Sequence, residues 1–470
     1  MMLDKKEFIE KATLIYHSGY NKNFDSFTSM LRWSRVPILR RNGFFMAALQ
    51  SNMLKSLAVF QEDLRKAEGE LRDAQDDEAK KKAEHRILVQ RQWIRVLQTI
   101  ADGIAWRFYR FNRPLLRVMS ENSNPGDLKK SDYDYVALLR QLLVSAPRFS
   151  LRIANDLTRF LRIADITIFF SGNKVMLYEV KKKGEKIFDS GTILAEMRKH
   201  RVWPKPQKLR QLVAQMAIIN EKIQVPVVEN GKIVKQVEID IVNLDFDIKN
   251  HFSALKRFIR QADKDVFAAG IVEEGYHIEV TAAEKLKASE LERLKAAKRA
   301  VPGWIKKTDG SVIKVANFDS FIDAGTEFPR NILPYSVLPL SATDCTRLMM
   351  GHLQVFVSVD TGILRRKLIE RGWRIKDGNP WKEMAKAGKT RTHMFDHDRD
   401  STLFYLEKDE GNATYKSAVL LDDVLMMATS FYGLDFILDS VDAMFETSKT
   451  EKKRKRLIAR NYVGERRVLL

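Results

Sequence analysis

The chain has 470 residues, 45% of them hydrophobic, enough for a large buried core and about two to four domains. No stretch approaches the roughly 18 uncharged apolar residues that span a bilayer, and the opening MMLDKKEFIEKA has acids where a secretory signal has an apolar run, so a cytoplasmic protein with no membrane partner is expected. Cys345 is the single cysteine, which excludes intrachain disulfides and thiolate zinc sites, and a formal charge of +20 favours polyanions, nucleic acid first, over a merely solvated lysine-rich surface.

The first region, to about residue 127, reads as helical. QEDLRKAEGELRDAQDDEAKKKAEHRILVQRQWIRVL, beginning at Gln61, is rich in helix formers, and its polar centre, Gly69 to Ala83, marks the exposed tip of a helical hairpin. Beyond it, Trp106, Phe108, Tyr109 and Phe111 alternate with Arg107, Arg110 and Arg113. That interleaving suits either base stacking with phosphate contacts or the core face of a helix rimmed by arginine.

SENSNPGD, Ser120 to Asp127, is a turn-rich break. A helix over Tyr133 to Ser145 then leads to two sheet-forming runs, Ala164 to Phe170 and Val175 to Val180, separated by the turn formers Ser171, Gly172 and Asn173. A helix at about Pro206 to Glu221, a strand in VEIDIVNLDF, a helix in HFSALKRFIRQADKD and one or two strands in FAAGIVEEGYHIEVTA follow. This order describes a mixed sheet covered by helices over residues 128–284. Lys285 to Arg299 reads as a charged connecting helix, and 285–470 as an α+β region for substrate or partner recognition, with an apolar helical pair in LLDDVLMMATSFYGLDFILDSVDAMF.

The chemistry concentrates in RIADITIFFSGNKVMLYEVKKK. Asp165 opens one apolar strand, and Glu179, Val180 and Lys181 close the next. Carboxylates on such strands are costly to bury unless a partner, such as a divalent cation, compensates them. Alternation sets Glu179 and Lys181 on one face. Asp165, Glu179 and the Val180 carbonyl form an oxygen donor set suited to magnesium, with manganese as substitute, while the Lys181 ammonium orients a water or neutralises developing phosphoryl charge. The plainer reading is an ion pair at a sheet edge.

Register makes the requirement sharp. A two-residue hairpin on Gly172 and Asn173 pairs Asp165 with Val180 and splits the site. A three-residue connection or one β-bulge brings Asp165 opposite Glu179 or Lys181, and such an irregularity is predicted.

At these residues the chain resembles the PD-(D/E)XK nuclease superfamily, with Asp165 as the first acid and Glu179-Val180-Lys181 as the second acid and lysine. The resemblance spans about Ser131 to Ala283. It implies a restriction-endonuclease-like α/β fold and magnesium-dependent hydrolysis of DNA phosphodiesters, with bacterial restriction or phage defence as a setting; it leaves RNA open as substrate. Ala164 stands where the nominal motif has proline. No glutamate lies between Glu121 and Glu179 to match the acid that related families carry on the first core helix, which leaves Asp132, Asp134 and Asp156 as the nearer acids. Gln207, Gln211 and Gln215 recur every fourth residue downstream; by resemblance Gln211 approaches the active centre, with Lys208, Lys182 and Lys183 as phosphate contacts. Otherwise the glutamines are the polar stripe of an ordinary amphipathic helix.

Acid-x-lysine also occurs at Asp4, Glu78, Asp127, Asp247 and Glu451, so strand context carries the motif. THMFDHDRD offers His393, Asp396, His397, Asp398 and Asp400, but it lacks the glutamate of HExxH and reads as a polar loop before the strand STLFYLE. No P-loop, Rossmann or G-x-S-x-G pattern is present, so an ATPase or other defence-system partner would be a separate subunit, and self-association as a homodimer is the other protein partnership expected. Within the nucleic-acid class, the rival to a nuclease is a non-catalytic binding or assembly protein that retains the fold.

Overall fold

The computed structural model describes residues 23–35, 43–109, 151–159, 166–169, 175–178, 222–229, 232–285, 312–316, 333–376, 402–411, 413–450 and 457–462, with isolated positions between 111 and 161 and at 469. Three helices come first: α1 (Phe24–Ser34), α2 (Gly43–Asp73) and α3 (Asp77–Phe108). The last two form the predicted hairpin. Its short turn lies inside the expected polar tip, and the Asp76 carboxylate caps α3 by accepting from the Ala79 amide at 2.7 Å.

The described strands fall into four sheets. β1 (Leu151–Ala154), β2 (Ile166–Phe169) and β3 (Val175–Tyr178) form an antiparallel sheet in that order. β4 (Lys222–Glu229) and β5 (Lys232–Leu244) form a hairpin, and β13 (Leu457–Tyr462) pairs in parallel with the other edge of β5. After α4 (Phe252–Asp265), the strands β6 (Phe267–Glu273) and β7 (Tyr276–Ala282) form a hairpin. It joins β8 (Val312–Ala316) and β9 (Leu353–Asp360) in the order β6-β7-β9-β8, so one sheet has strands from either side of residue 284. Then come α5 (Ala342–Met349, before β9), α6 (Thr361–Glu370), a sheet of β10 (Arg374–Lys376), β11 (Thr402–Glu410) and β12 (Ala413–Leu420), and the apolar helical pair α7 (Leu421–Thr429) and α8 (Asp435–Thr450).

The molecule is therefore a mixed α/β protein built of small sheets and helices. The sequence order suggests one mixed sheet over 164–283, but among the described residues β2–β3, β5 and β6–β7 hydrogen-bond in separate sheets. Strand neighbours are chosen by distant partners, β13 for β5 and β9 for β7, which local periodicity does not encode.

One buried apolar cluster runs through the described elements, from Phe27 and Leu31 of α1 to Phe431, Phe436 and Val441 near the end of the chain. Arg35, just past α1, ties the helices to residues 336–345: its guanidinium donates to the carbonyls of Ser336 (3.0 Å), Leu340 (2.6 Å) and Leu338 (3.0 Å), and to Cys345 Sγ (2.8 Å). Burial pushes the Cys345 thiol up, with Arg35 opposing, which keeps it a neutral core group. No described helix is long and apolar enough to cross a membrane.

Candidate active site

β2 and β3 are made of β-branched, aliphatic and aromatic residues, ITIF and VMLY, which suit a pleated, buried surface. Ile166, Thr167 and Ile168 are all buried, so the middle strand of this sheet is covered on both faces. The register is Ile166 with Tyr178, Thr167 with Leu177, Ile168 with Met176 and Phe169 with Val175. Five residues, 170–174, separate the paired Phe169 and Val175. This is not the register of a two-residue hairpin on Gly172 and Asn173; it has the odd-length connection that the site requires.

Beyond the last described pair, the next residues in sequence are Asp165 and Glu179. Asp165, Glu179, Val180 and Lys181 lie outside the described residues, as do Lys182, Lys183, Lys208, Gln207, Gln211, Gln215, Asp132 and Asp134, and the cluster from His393 to Asp400. Of the three upstream acids only Asp156 is described, half-buried in the short 3-10 turn Asn155–Leu157 that follows β1.

That turn and α3 form a polar seat beneath β2. The Thr167 hydroxyl donates to Asn155 Oδ1 at 3.0 Å and accepts from the Tyr109 hydroxyl at 3.4 Å. Asp102 of α3 holds the far side of the turn, accepting from the Arg159 amide at 2.8 Å and from Arg159 Nε at 2.5 Å. Gln50 of α2 completes β1 much as a neighbouring strand would: its amide donates to the Arg152 carbonyl at 2.7 Å and accepts from the Ala154 amide at 2.8 Å. These buried groups satisfy one another, as a rigid scaffold requires. Burial pushes the Tyr109 hydroxyl well above its ordinary range despite the opposing bond to Thr167, so it stays a neutral donor.

Of these seat residues only Tyr109 stood out in the sequence, as one of the aromatics interleaved with arginine. For the rest, the visible signal was Thr167, a polar residue between Ile166 and Ile168 on an otherwise apolar strand. The Trp106 cluster takes the second of its two readings. Trp106, Phe108, Tyr109, Phe111 and Arg113 are all buried, and the Arg113 guanidinium lies 4.9 Å from the Trp106 ring centre. These rings belong to the core and offer no platform for bases.

A second set of buried polar groups occupies one face of β7 and β9. His277 pairs with Ser358 and Thr281 with Gln354, and His277 Nδ1 is 3.9 Å from Glu279 Oε1. Two potential ligands do not make a metal centre, and among the described residues no group of three or more His, Cys, Asp or Glu could hold an ion. No protein-family model, curated protein or solved structure matches the chain.

Proposed function

We propose that the chain is a magnesium-dependent nuclease acting on DNA, with a restriction-endonuclease-like core built on β2 and β3. The carrying observation is the β2–β3 register. That register ends at Ile166 with Tyr178; were it to continue by one residue, positions 165 and 179 would stand opposite each other, and the sequence has a carboxylate at both, with Lys181 following. A register shifted by one would have put them on opposite faces.

Asp165, Glu179 and the Val180 carbonyl are the oxygen donors that would hold magnesium or manganese, which matches the hard-cation preference for carboxylate and carbonyl oxygen. When bound, the ion supplies a water of lowered pKa and charge stabilisation on the phosphoryl oxygens. Lys181 presents its ammonium to the phosphate, and Gln211 lines the same centre. Lys182, Lys183 and Lys208 contact neighbouring phosphates. β2, buried on both faces over Ile166 to Ile168 and anchored by the Thr167–Asn155 bond, supports a stiff base of the kind such a site needs. A cytoplasmic role in restriction or phage defence, as a homodimer or beside a separate ATPase, fits the charge and the absence of nucleotide-binding motifs.

The test is cleavage of plasmid DNA and of RNA by the full chain with magnesium, manganese or EDTA, beside Asp165→Ala and Lys181→Ala. DNA cleavage that needs metal and falls by about 10²–10³-fold in each variant is the expected result. Cleavage that survives both substitutions removes the site. RNA cleavage alone changes the substrate, and binding without cleavage makes the chain a nucleic-acid-binding or assembly protein.

A further inference from the structure

Helix α4 is amphipathic in a way that separates two jobs. Phe252, Leu255, Phe258, Ile259 and Ala262 are buried on one side, packed on β6 and β7. The packing is close at Gly270 of β6, where a Cβ would stand 2.9 Å from Phe258 Cζ. The opposite side carries Ser253, Lys256, Arg257, Arg260, Gln261 and Lys264, all exposed, spaced so that they form one stripe.

Those six residues, with Asp265 at the end, are the described lining of an open groove of about 590 Å³. Four cations therefore sit within nine residues, from Lys256 to Lys264, the first and last about 12 Å apart along the helix axis at 1.5 Å per residue. The helix offers them little compensation. Asp263, its other acid, is taken by Arg347 of α5 at 2.6 Å. Exposed cations elsewhere on the described surface commonly meet acids, as Arg86 meets Glu70 and Arg91 meets Glu68. Arg257 is braced over the neighbouring Phe258 ring, 5.0 Å from its centre. Like charges at i and i+4, as at Lys256, Arg260 and Lys264, repel one another, and a polyanion relieves that repulsion.

We infer that the outward face of α4 is a contact surface for the phosphate backbone of nucleic acid. A basic stripe about 12 Å long is on the scale of a few phosphates of a B-form duplex, whose charges on each strand recur every ~3.4 Å of the duplex axis. The stripe has no exposed aromatic for stacking and is dominated by cations, which suits contact with phosphates. An acidic membrane is the weaker fit, because the helix buries its apolar side against its own sheet and has none left to insert. The inference rests on the nucleic-acid half of the nuclease proposal and not on cleavage.

The experiment measures binding of the full chain to a labelled 20-bp duplex in EDTA between 50 and 200 mM KCl by anisotropy, about the range over which phosphate contacts show their salt dependence. Lys256→Gln/Arg260→Gln is compared with Lys81→Gln/Lys82→Gln at the α2–α3 tip, which removes the same charge from another exposed site. The α4 pair should weaken binding at least tenfold and reduce the slope of log K against log salt by about 1.8, at about 0.9 per phosphate contact; the tip pair should change neither. Equal effects of the two pairs, no effect of the α4 pair, or no duplex binding overturns the inference. Retention on phosphatidylserine vesicles that depends on the α4 pair, without duplex binding, overturns it in favour of a membrane. Cleavage with magnesium separates the two proposals. A chain that binds through α4 without cutting sinks the nuclease, and one that cuts with binding unaltered in the α4 pair sinks the contact surface.

Discussion

Ile166 of β2 stands directly opposite Tyr178 of β3, and this pairing fixes which flanking residues can share a face of the sheet. An alanine inserted between Tyr178 and Glu179 leaves the described strands intact but moves Glu179 and Lys181 by one position, to the other face. Metal-dependent cleavage should then fall as far as in Glu179→Ala, while the circular dichroism spectrum and thermal midpoint stay close to wild type. Undiminished cleavage by the insertion variant would falsify the register argument.

Gly103 and Gly69 should respond to the same substitution with opposite signs. Both lie within long helices, where glycine to alanine ordinarily stabilises by about 0.5–1 kcal/mol. A Cβ at Gly69 meets nothing within 4 Å. At Gly103 it would run into the Ser336 hydroxyl and stand 3.0 Å from Ser336 Cβ and 3.2 Å from Val337 Cγ1. That hydroxyl is already committed to the Thr99 carbonyl at 2.6 Å. Gly69→Ala should raise the thermal midpoint, and Gly103→Ala should destabilise by roughly 1–3 kcal/mol through overpacking.

What was legible in the sequence was local. The helical hairpin, the strand pair around Gly172, helix α4 and the final apolar helices all follow from patterning that a window of a dozen residues contains. The β4–β5 hairpin has a local signal too. Glu229 pairs with Lys232, leaving only Asn230 and Gly231 between the strands, and Asn-Gly is a strong hairpin signal. The rest lies in distant partnerships. Nothing near Val280 announces Val355 as its neighbour, and nothing near Arg35 announces the carbonyls of 336–340. At the candidate site, residue types and alternation could be read directly. The parity of the connection, which decides whether two carboxylates face each other, required the register.

Acid should expose the cost of charging His352. Burial, aided by the charge of Arg347, lowers this imidazole from 6.5 to about 4. Glu284 Oε2 lies 3.3 Å from Nδ1, but that carboxylate is shared with Arg347. Below 6.5 the unfolded chain takes up a proton that the folded one refuses, so this contribution to stability is present above 6.5 and lost as pH falls towards 4. At about 1.4 kcal/mol per unit the loss is of order 3 kcal/mol. His352→Gln should flatten the decline of the unfolding midpoint between pH 6.5 and 4, and an equally steep decline in the variant would remove His352 as its source.

The seat beneath β2 can be tested through Asp102 and Arg159. Their side chains are 3% and 14% exposed, so removing one partner leaves a poorly solvated charge behind. Asp102→Ala should cost roughly 3–5 kcal/mol. Asp102→Asn should cost less, because its Oδ1 still accepts from the Arg159 amide, now 2.8 Å from the carboxylate. Arg159→Ala should also destabilise, and the double alanine variant should lose less than the two single losses summed, since neither charge then remains unpaired. If the pair only braces the turn carrying Asn155, metal-dependent cleavage at a temperature where each variant is folded should drop by less than tenfold. A collapse of activity in a fully folded Asp102→Asn would instead place Asp102 in the catalytic machinery, as the upstream acid that no glutamate between Glu121 and Glu179 supplies.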